Sequence, residues 1–432
     1  MNRPAALLLA IACSLSFPRA DAQTVQNTEQ LARFMQKYRA NNTSFSRYRF
    51  STNASTLRDP AVNFWDAQLA AMDSSIMGRP NDALLYFPIA SPPPKTLPDP
   101  HRYRAQDAAE WIIQHVKDHR VVMLNEVHHL SQTRLLTLSL LKPLHDAGFR
   151  YLALETLTNN GTNPVPNGYP EEKSGEYTRD PLLGDLVREA LRLGFELVPY
   201  EASPADIGNA VSRESAQARN LTAFLKSHPD ARLVVHAGYA HIAKTTAVKI
   251  SGARTMATAL SEATHAHILS IDQATLTPKS KASREALDAQ ATLNTAFPSN
   301  RPVVLLSNAD GTAWSAVPGA YDASVLLPPS DADAIRPDWL SLEGARRKVP
   351  VNVVHCENLY PCLIQAFVAG EPNQAIPADQ MVISVPSERT STLYLRDGSY
   401  RLRYVTNEDQ VTFERRIQVP GGTGEVAPQR LP

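Results

Sequence analysis

Residues 121–129 read VVMLNEVHH. Four apolar side chains run straight into Asn125, the carboxylate of Glu126 and the imidazoles of His128 and His129. An apolar run this short predicts a buried strand, and the sudden arrival of titratable groups marks its end. The junction recurs down the chain. YLALE (151–155) ends in Glu155, FELVPYE (195–201) ends in Glu201, and RLVVHAG (232–238) carries His236 and leads into Tyr239 and His241. Four successive strands therefore finish in acidic or imidazole groups at their carboxyl ends.

Between the strands lie stretches of helical length. Residues 105–117 place Ala109, Ile112, Ile113 and Val116 at helical spacing. Ser131 reads as the N-cap of a helix over 131–147, kinked at Pro143 and stopped by Gly148. Asp180-Pro181 opens a helix that Gly194 closes after Leu193, and Ser203-Pro204 opens a helical region continuing through Lys226. Weaker patterns predict a helix over 254–263 and strands at 267–271, 303–307 and 323–329.

Strands alternating with helices predict right-handed β-α-β units, hence an α/β fold built on a mainly parallel sheet flanked by helices. The carboxyl ends of parallel strands share one edge, with neighbours only about 4.8 Å apart. Open α/β sheets place their ligands along that edge. Groups distant in sequence are thereby expected to meet in one pocket.

The flanking regions read differently. Residues 1–22 have the form of a secretory signal peptide, with Arg3, an apolar run over 5–17 and Ala20-Asp21-Ala22 before the cut. This implies a secreted or periplasmic protein. Lipoprotein anchoring through Cys13 is disfavoured by Ala10, where a larger aliphatic residue is usual. Residues 23–103 form a helical region, with helices around 28–40 and 59–72, followed by the stiff linker SPPPKTLPDP (91–100). The main α/β domain spans 104–348.

Residues 349–420 form a C-terminal antiparallel β domain, signalled by alternating runs around Asp397-Gly398, which read as a hairpin, and by VTFERRIQV (411–419). The tail is 421–432. In an exported chain Cys356 and Cys362 are expected to pair, with two free buried thiols as the alternative. Their spacing fits no common zinc motif.

Lysine plus arginine and aspartate plus glutamate balance at 43 each, and no basic tract occurs. That argues against nucleic acid as a partner and leaves a small-molecule or peptide substrate. No segment is long and apolar enough to be a transmembrane anchor.

The strand ends resemble a known group: the superfamily of erythromycin esterases, ChaN-like haem-binding proteins and Tiki-type metalloproteases. The resemblance covers roughly residues 104–345. It rests on Glu126-Val127-His128, Glu155, Arg213-Glu214 with Ala218-Arg219-Asn220, and Gly238-Tyr239-Ala240-His241. Asn125 departs from the family's usual glycine. Glu126-x-His128 resembles the ChaN and Tiki register, whereas Glu126-x-x-His129 resembles the esterase one.

Hydrolysis of an ester, lactone or peptide bond is the leading expectation. Glu126, His128, Glu155 and His241 offer oxygen and nitrogen donors suited to a divalent metal such as Zn or Mn with a bound water. A metal-free variant makes one imidazole the general base, with glutamates orienting it and Arg219 or a second histidine facing the oxyanion. The alternative is haem binding in iron acquisition, with Tyr239, His236, His128 or His241 near the iron. A third reading is a scaffold that keeps the fold without the chemistry.

Overall fold

The computed structural model describes residues 24–57, 62–203, 206–207, 209–331, 334–385 and 390–421. The signal peptide, Asp59-Pro60, Pro204 and the tail after Gly421 lie outside the described residues.

Ten strands build the α/β part. They are β1 (Tyr103–Asp107), β2 (Val121–Glu126), β3 (Tyr151–Leu154), β4 (Glu196–Pro199), β5 (Leu233–Gly238), a short ribbon of β6 (Lys249–Ile250) and β7 (Ala253–Arg254), then β8 (Ile268–Asp272), β9 (Val303–Ser307) and β10 (Ala323–Leu326). Eight of them form one sheet in the order β1-β9-β10-β8-β2-β5-β3-β4. From β10 to β4 every neighbouring pair is parallel. Only β9 runs against its neighbours. The expected mainly parallel sheet is present, and the four strands that end in acid or imidazole are consecutive in it.

The two faces separate by strand alternation. Val122, Leu124, Leu152, Leu154 and Val234 pack beneath the helices Leu135–Asp146 and Pro181–Leu193. Val121, Met123, Ala153, Leu233 and Val235 pack beneath Ala210–Ser227 and Met256–Thr264. Phe34, Met35, Tyr38, Leu69 and Met72 of the N-terminal helices join the first of these clusters, so that region shares the sheet's core. The helix expected around 59–72 is Asn63–Ile76.

Several boundaries differ from the sequence reading. Residues 105–107 belong to edge strand β1, because Asp107 caps the following helix Ala108–His115 by accepting from the Glu110 N–H (3.0 Å). Ser131 caps no α-helix. It opens a 3-10 turn, Ser131–Arg134, and its hydroxyl donates to Asp180 Oδ2 (2.6 Å). The helix after β4 begins at Ala210 rather than at 203–204, since Asn209 and Ser212 cap each other's backbone there. Asp180, Pro181 and Gly194 bound their helix as expected. The helix Arg284–Ala296 is absent from the sequence reading, because it buries only Ala286 and Leu293 and so leaves little apolar periodicity.

Near the C-terminus all pairing is antiparallel. β11 (Arg347–Asn352) and β14 (Thr390–Leu395) form one sheet; β12 (Cys362–Val368), β13 (Asp379–Ile383), β15 (Gly398–Val405) and β16 (Val411–Val419) form another. The Asp397-Gly398 hairpin is not made. β14 pairs with β11 while β15 pairs with β12 and β16, so the chain there crosses between sheets. The reason is burial: Leu393 and Leu395 of one sheet and Leu402 and Tyr404 of the other belong to one apolar interior. Cys356 and Cys362 are disulfide-bonded within that interior. Among the described residues, no helix is long and apolar enough to cross a membrane.

Candidate functional site

β5 lies between β2 and β3, so their three carboxyl ends meet at one point on the rim. Glu126 is paired with Gly238 in register, and Leu154, just before Glu155, with His236. Gly238 lets the His128 ring lie directly against the backbone at that point. A Cβ there would stand 2.3 Å from His128 Nε2 and 3.2 Å from Glu155 Oε2. The imidazole from one β-α unit and the carboxylate from another therefore both flank this glycine. Asn125 supports this crossing: its amide donates to the Tyr239 carbonyl (2.7 Å) and to Asp272 Oδ1 (2.9 Å), binding β2 to β8 and to the turn after β5. Asn125 thus has a structural task.

Glu126 is the hub on one side. Its oxygens accept from His128 Nδ1 (2.7 Å), Arg134 Nε (2.6 Å) and His236 Nε2 (3.0 Å). Arg134 also pairs with Asp180 (2.9 Å) and donates to the His128 carbonyl (2.7 Å), and Thr137 meets His236 Nδ1 (3.0 Å). Burial alone would push the Glu126 carboxyl up. The Arg134 guanidinium, with His128 and His236, outweighs it and holds the group well below the usual carboxylate range.

Glu155 is the hub on the other side. It accepts from Arg213, the Gly238 N–H and His241 Nε2 (3.3 Å). Arg213 continues to Glu201, and His241 Nδ1 reaches Glu214 Oε1 (2.5 Å). Here too burial raises the carboxyl, but His241 and Arg213 prevail and keep Glu155 ionised. Burial pulls the His241 imidazole down; Glu214 and then Glu155 reverse this and carry it up to about 10.

His128 stands between the hubs. Its Nδ1 is held by Glu126, which leaves Nε2 as the lone-pair nitrogen of that tautomer. Nε2 is sealed from solvent and has no hydrogen-bond partner. One ring face is covered by Tyr177, stacked with centroids 3.9 Å apart and planes at 14°, and Tyr239 meets the ring edge-on. Tyr177 closes an insertion after β3 that is tied down elsewhere. Arg179 pairs with Glu176 and faces Asp73 at 3.9 Å, and Glu172 accepts from the Ser44 N–H and hydroxyl.

The remaining expected residues sort cleanly. His129 turns away, meeting the Lys279 carbonyl through Nε2 (2.8 Å) and stacking on Phe87 (3.8 Å). Burial drives its pKa down to about 3, which makes it a neutral packing residue and favours the His128 register. Arg219 is exposed and pairs with Asp206 (3.3 Å), apart from these contacts; the arginine of the same helix that reaches the site is Arg213, which is held by Glu155 and Glu201. Tyr239 and His236 are both buried at the rim, His236 as a support for Glu126. Arg134, Asp180 and Tyr177 carry no sequence signal that marks them for the site. Arg213-Glu214 is visible as a motif, but its charge gives no sign of burial.

This donor set does not fit a divalent metal. Both oxygens of Glu126 and of Glu155 are already held by guanidinium, imidazole or backbone donors, and both nitrogens of His241 face carboxylates. A cation would have to displace Arg134 and Arg213. Among the described residues no group of three or more His, Cys, Asp or Glu is arranged to hold one. A porphyrin fits no better, since Tyr177 is stacked on one face of the buried His128 ring and charged groups border the rest.

No family model matches the chain, and none of the curated proteins does. Among solved structures it is similar to the type III effector HopBA1, at 13% identity over 40% of this chain and 85% of that one, with a TM-score of 0.28. It is also similar to RRSP, a MARTX toxin effector domain from Vibrio vulnificus CMCP6, at 12% identity over 60% and 67%, with a TM-score of 0.30. Likenesses this low carry no functional argument.

Proposed function

We propose that the chain is a metal-independent hydrolase of ester, lactone or peptide bonds, with His128 as general base. Glu126 fixes the imidazole through Nδ1, and the attacking water is the one that His128 Nε2 would take as partner, on the side of Gly238 where Glu155 Oε2 also lies. His128 takes one proton as the water oxygen attacks the carbonyl carbon. The imidazolium so formed is stabilised by the Glu126 carboxylate and returns the proton to the leaving alkoxide or amine. Glu155, kept ionised by Arg213 and His241, orients the water through its second proton. The observation that supports this best is the unpartnered Nε2. A buried ring nitrogen left without a partner, close to an ionised carboxylate and packed where only glycine lets the ring lie, is an arrangement for a reacting molecule.

Tyr177 covers the imidazole in the state described, so substrate entry requires that ring to swing aside. The signal-like start of the chain supports export on the same reading, and the resemblance of the strand-end motifs supports kinship with the erythromycin esterase, ChaN and Tiki group. The test is a panel of ester, lactone and peptide substrates, assayed with and without chelator. Turnover that survives chelation, and that His128→Ala and Glu126→Gln each abolish without loss of folding, supports the proposal. Turnover lost to chelator and restored by Zn or Mn defeats it.

A further inference from the structure

Away from the rim, a cavity of about 510 Å³ lies where three parts of the chain meet. Ser44 borders it from the start of the helix Ser44–Ser51, Glu172 and Arg179 from the insertion after β3, and Gln365, Gln380 and Arg403 from the sheet of β12, β13, β15 and β16. Strand alternation turns the last three outward. Ile364, Ala366, Leu402 and Tyr404 fill the interior between the C-terminal sheets, so Gln365 and Arg403, one residue along each strand, face the cavity.

The pairing register sets these residues in one row. Gln380 lies opposite Gln365, Gln365 opposite Arg403, and Arg403 opposite Glu414. Side chains so opposed share a face and stand about 4.5–5.5 Å apart at Cβ, yet both neighbours of Arg403 are engaged elsewhere. Gln365 gives its amide to Gln380 Oε1 (2.9 Å), and Glu414 pairs with Arg401 (3.2 Å). Arg403 makes no hydrogen bond or ion pair among the described residues. Its Nε is sealed from solvent without a partner, whereas its two Nη groups are not sealed and the residue lines the cavity.

The other charged groups of the wall are spent. Arg49 pairs with Asp409 (2.7 Å) and Arg179 with Glu176. Glu172 accepts from the Ser44 N–H (3.3 Å) and hydroxyl (3.1 Å) and so serves the start of that helix. Arg403 is left as a cation without a counter-charge, facing a cavity. A guanidinium presents its donors in a planar fork that matches a carboxylate at two points. The volume lies within the roughly 300–1,000 Å³ of small-molecule sites, which is more than a bare ion fills. Asn42 and Asn373 add uncommitted amides to the wall, so the body of the ligand is expected to be polar.

We propose that this cavity binds a small polar organic carboxylate, with Arg403 as its cation. The proposal does not rest on the hydrolase reading. The full chain is titrated by calorimetry at constant ionic strength with glucuronate and with the dipeptide Ala-Ala, and with glucose and acetate as controls. Saturable binding of at least one of the two carboxylates is expected, tighter than either control and weakened by about tenfold or more in Arg403→Gln. That variant loses no pair within the protein, so its urea midpoint should match the parent's. Arg416→Gln removes the same charge from β16, outside the cavity wall, and should leave binding unchanged.

Preference for glucuronate identifies a hydroxylated body and preference for Ala-Ala an amide one; either upholds the site. Where Arg403→Gln does not fold, Arg403→Lys, which keeps the charge and loses the fork, replaces it, and weaker binding is again expected. Absence of saturable binding of both carboxylates overturns the proposal. So does glucose or acetate binding as tightly as they do, or binding that the folded Arg403 variant leaves unchanged.

Discussion

Replacing Gly238 by alanine tests the site with a single methyl group. The new Cβ would lie 2.3 Å from His128 Cε1 and Nε2, with the Glu155 Oε2 oxygen at 3.2 Å. Carbon and nitrogen atoms in ordinary contact stand about 3.5 Å apart, so the ring must retreat by about 1.2 Å. It has little room to do so, being stacked on Tyr177 and held by Glu126 at 2.7 Å. Overpacking of this kind costs about 1–3 kcal/mol, which a denaturant midpoint would register while the protein remains folded. Catalysis should suffer more. A misplacement of about 1 Å in a reacting group can lower turnover by roughly a hundredfold. We therefore expect Gly238→Ala to stay native by circular dichroism and to lose about two orders of magnitude in kcat/KM on any substrate the parent hydrolyses. Full activity in a stable Gly238→Ala protein would refute the claim that the attacking water meets His128 beside Gly238.

The same contacts govern other perturbations. Tyr177→Ala should uncover His128 and speed its carbethoxylation by about tenfold or more, read site by site in a mass spectrometer, whereas an unchanged rate would mean the ring is no cover. Arg134→Met leaves Glu126 and Asp180 buried without their shared cation, and is expected to destabilise by about 3–5 kcal/mol in urea titration; a loss within error would show that the carboxylates do not depend on it. His241 titrates at its ordinary value of 6.5 when unfolded and at about 10 when folded, so the folded state keeps an extra proton in that interval. Its contribution is complete below pH 6.5 and lost as pH rises through about 10, at up to about 1.4 kcal/mol per pH unit. Unfolding measured across that window should show the decline in the parent and a flatter curve in His241→Gln; identical curves would contradict the assignment.

How far the sequence could be read depended on whether a feature was local. β2, β3 and β5 announce themselves because both faces of a parallel sheet are buried, which makes their runs almost wholly apolar. The Asp180-Pro181 start and Gly194 stop are equally local, since caps are satisfied within one helical turn. The errors arose where the outcome was set by distant partners. β1 is a strand only because β9 lies beside it, and Asp397-Gly398 turns between sheets because Leu393 and Leu402 share an interior. At the site, Glu126, Glu155 and the histidines were legible as strand-end chemistry. The burial of Arg134 and Arg213 was not: it depends in part on carboxylates supplied by other β-α units, Asp180 and Glu155, and an arginine near a helix start ordinarily faces solvent. Without them the carboxylates look like metal ligands. With them, the oxygens are already occupied.

The mechanism depends most on His128 and Glu155 acting on one molecule, and a double-mutant cycle on kcat/KM measures this directly. If they share a single water, His128→Ala combined with Glu155→Gln should be little worse than the more damaging single change, as expected of groups that work as a unit. Losses that simply add would mean the two side chains serve separate purposes, and the common site would have to be given up.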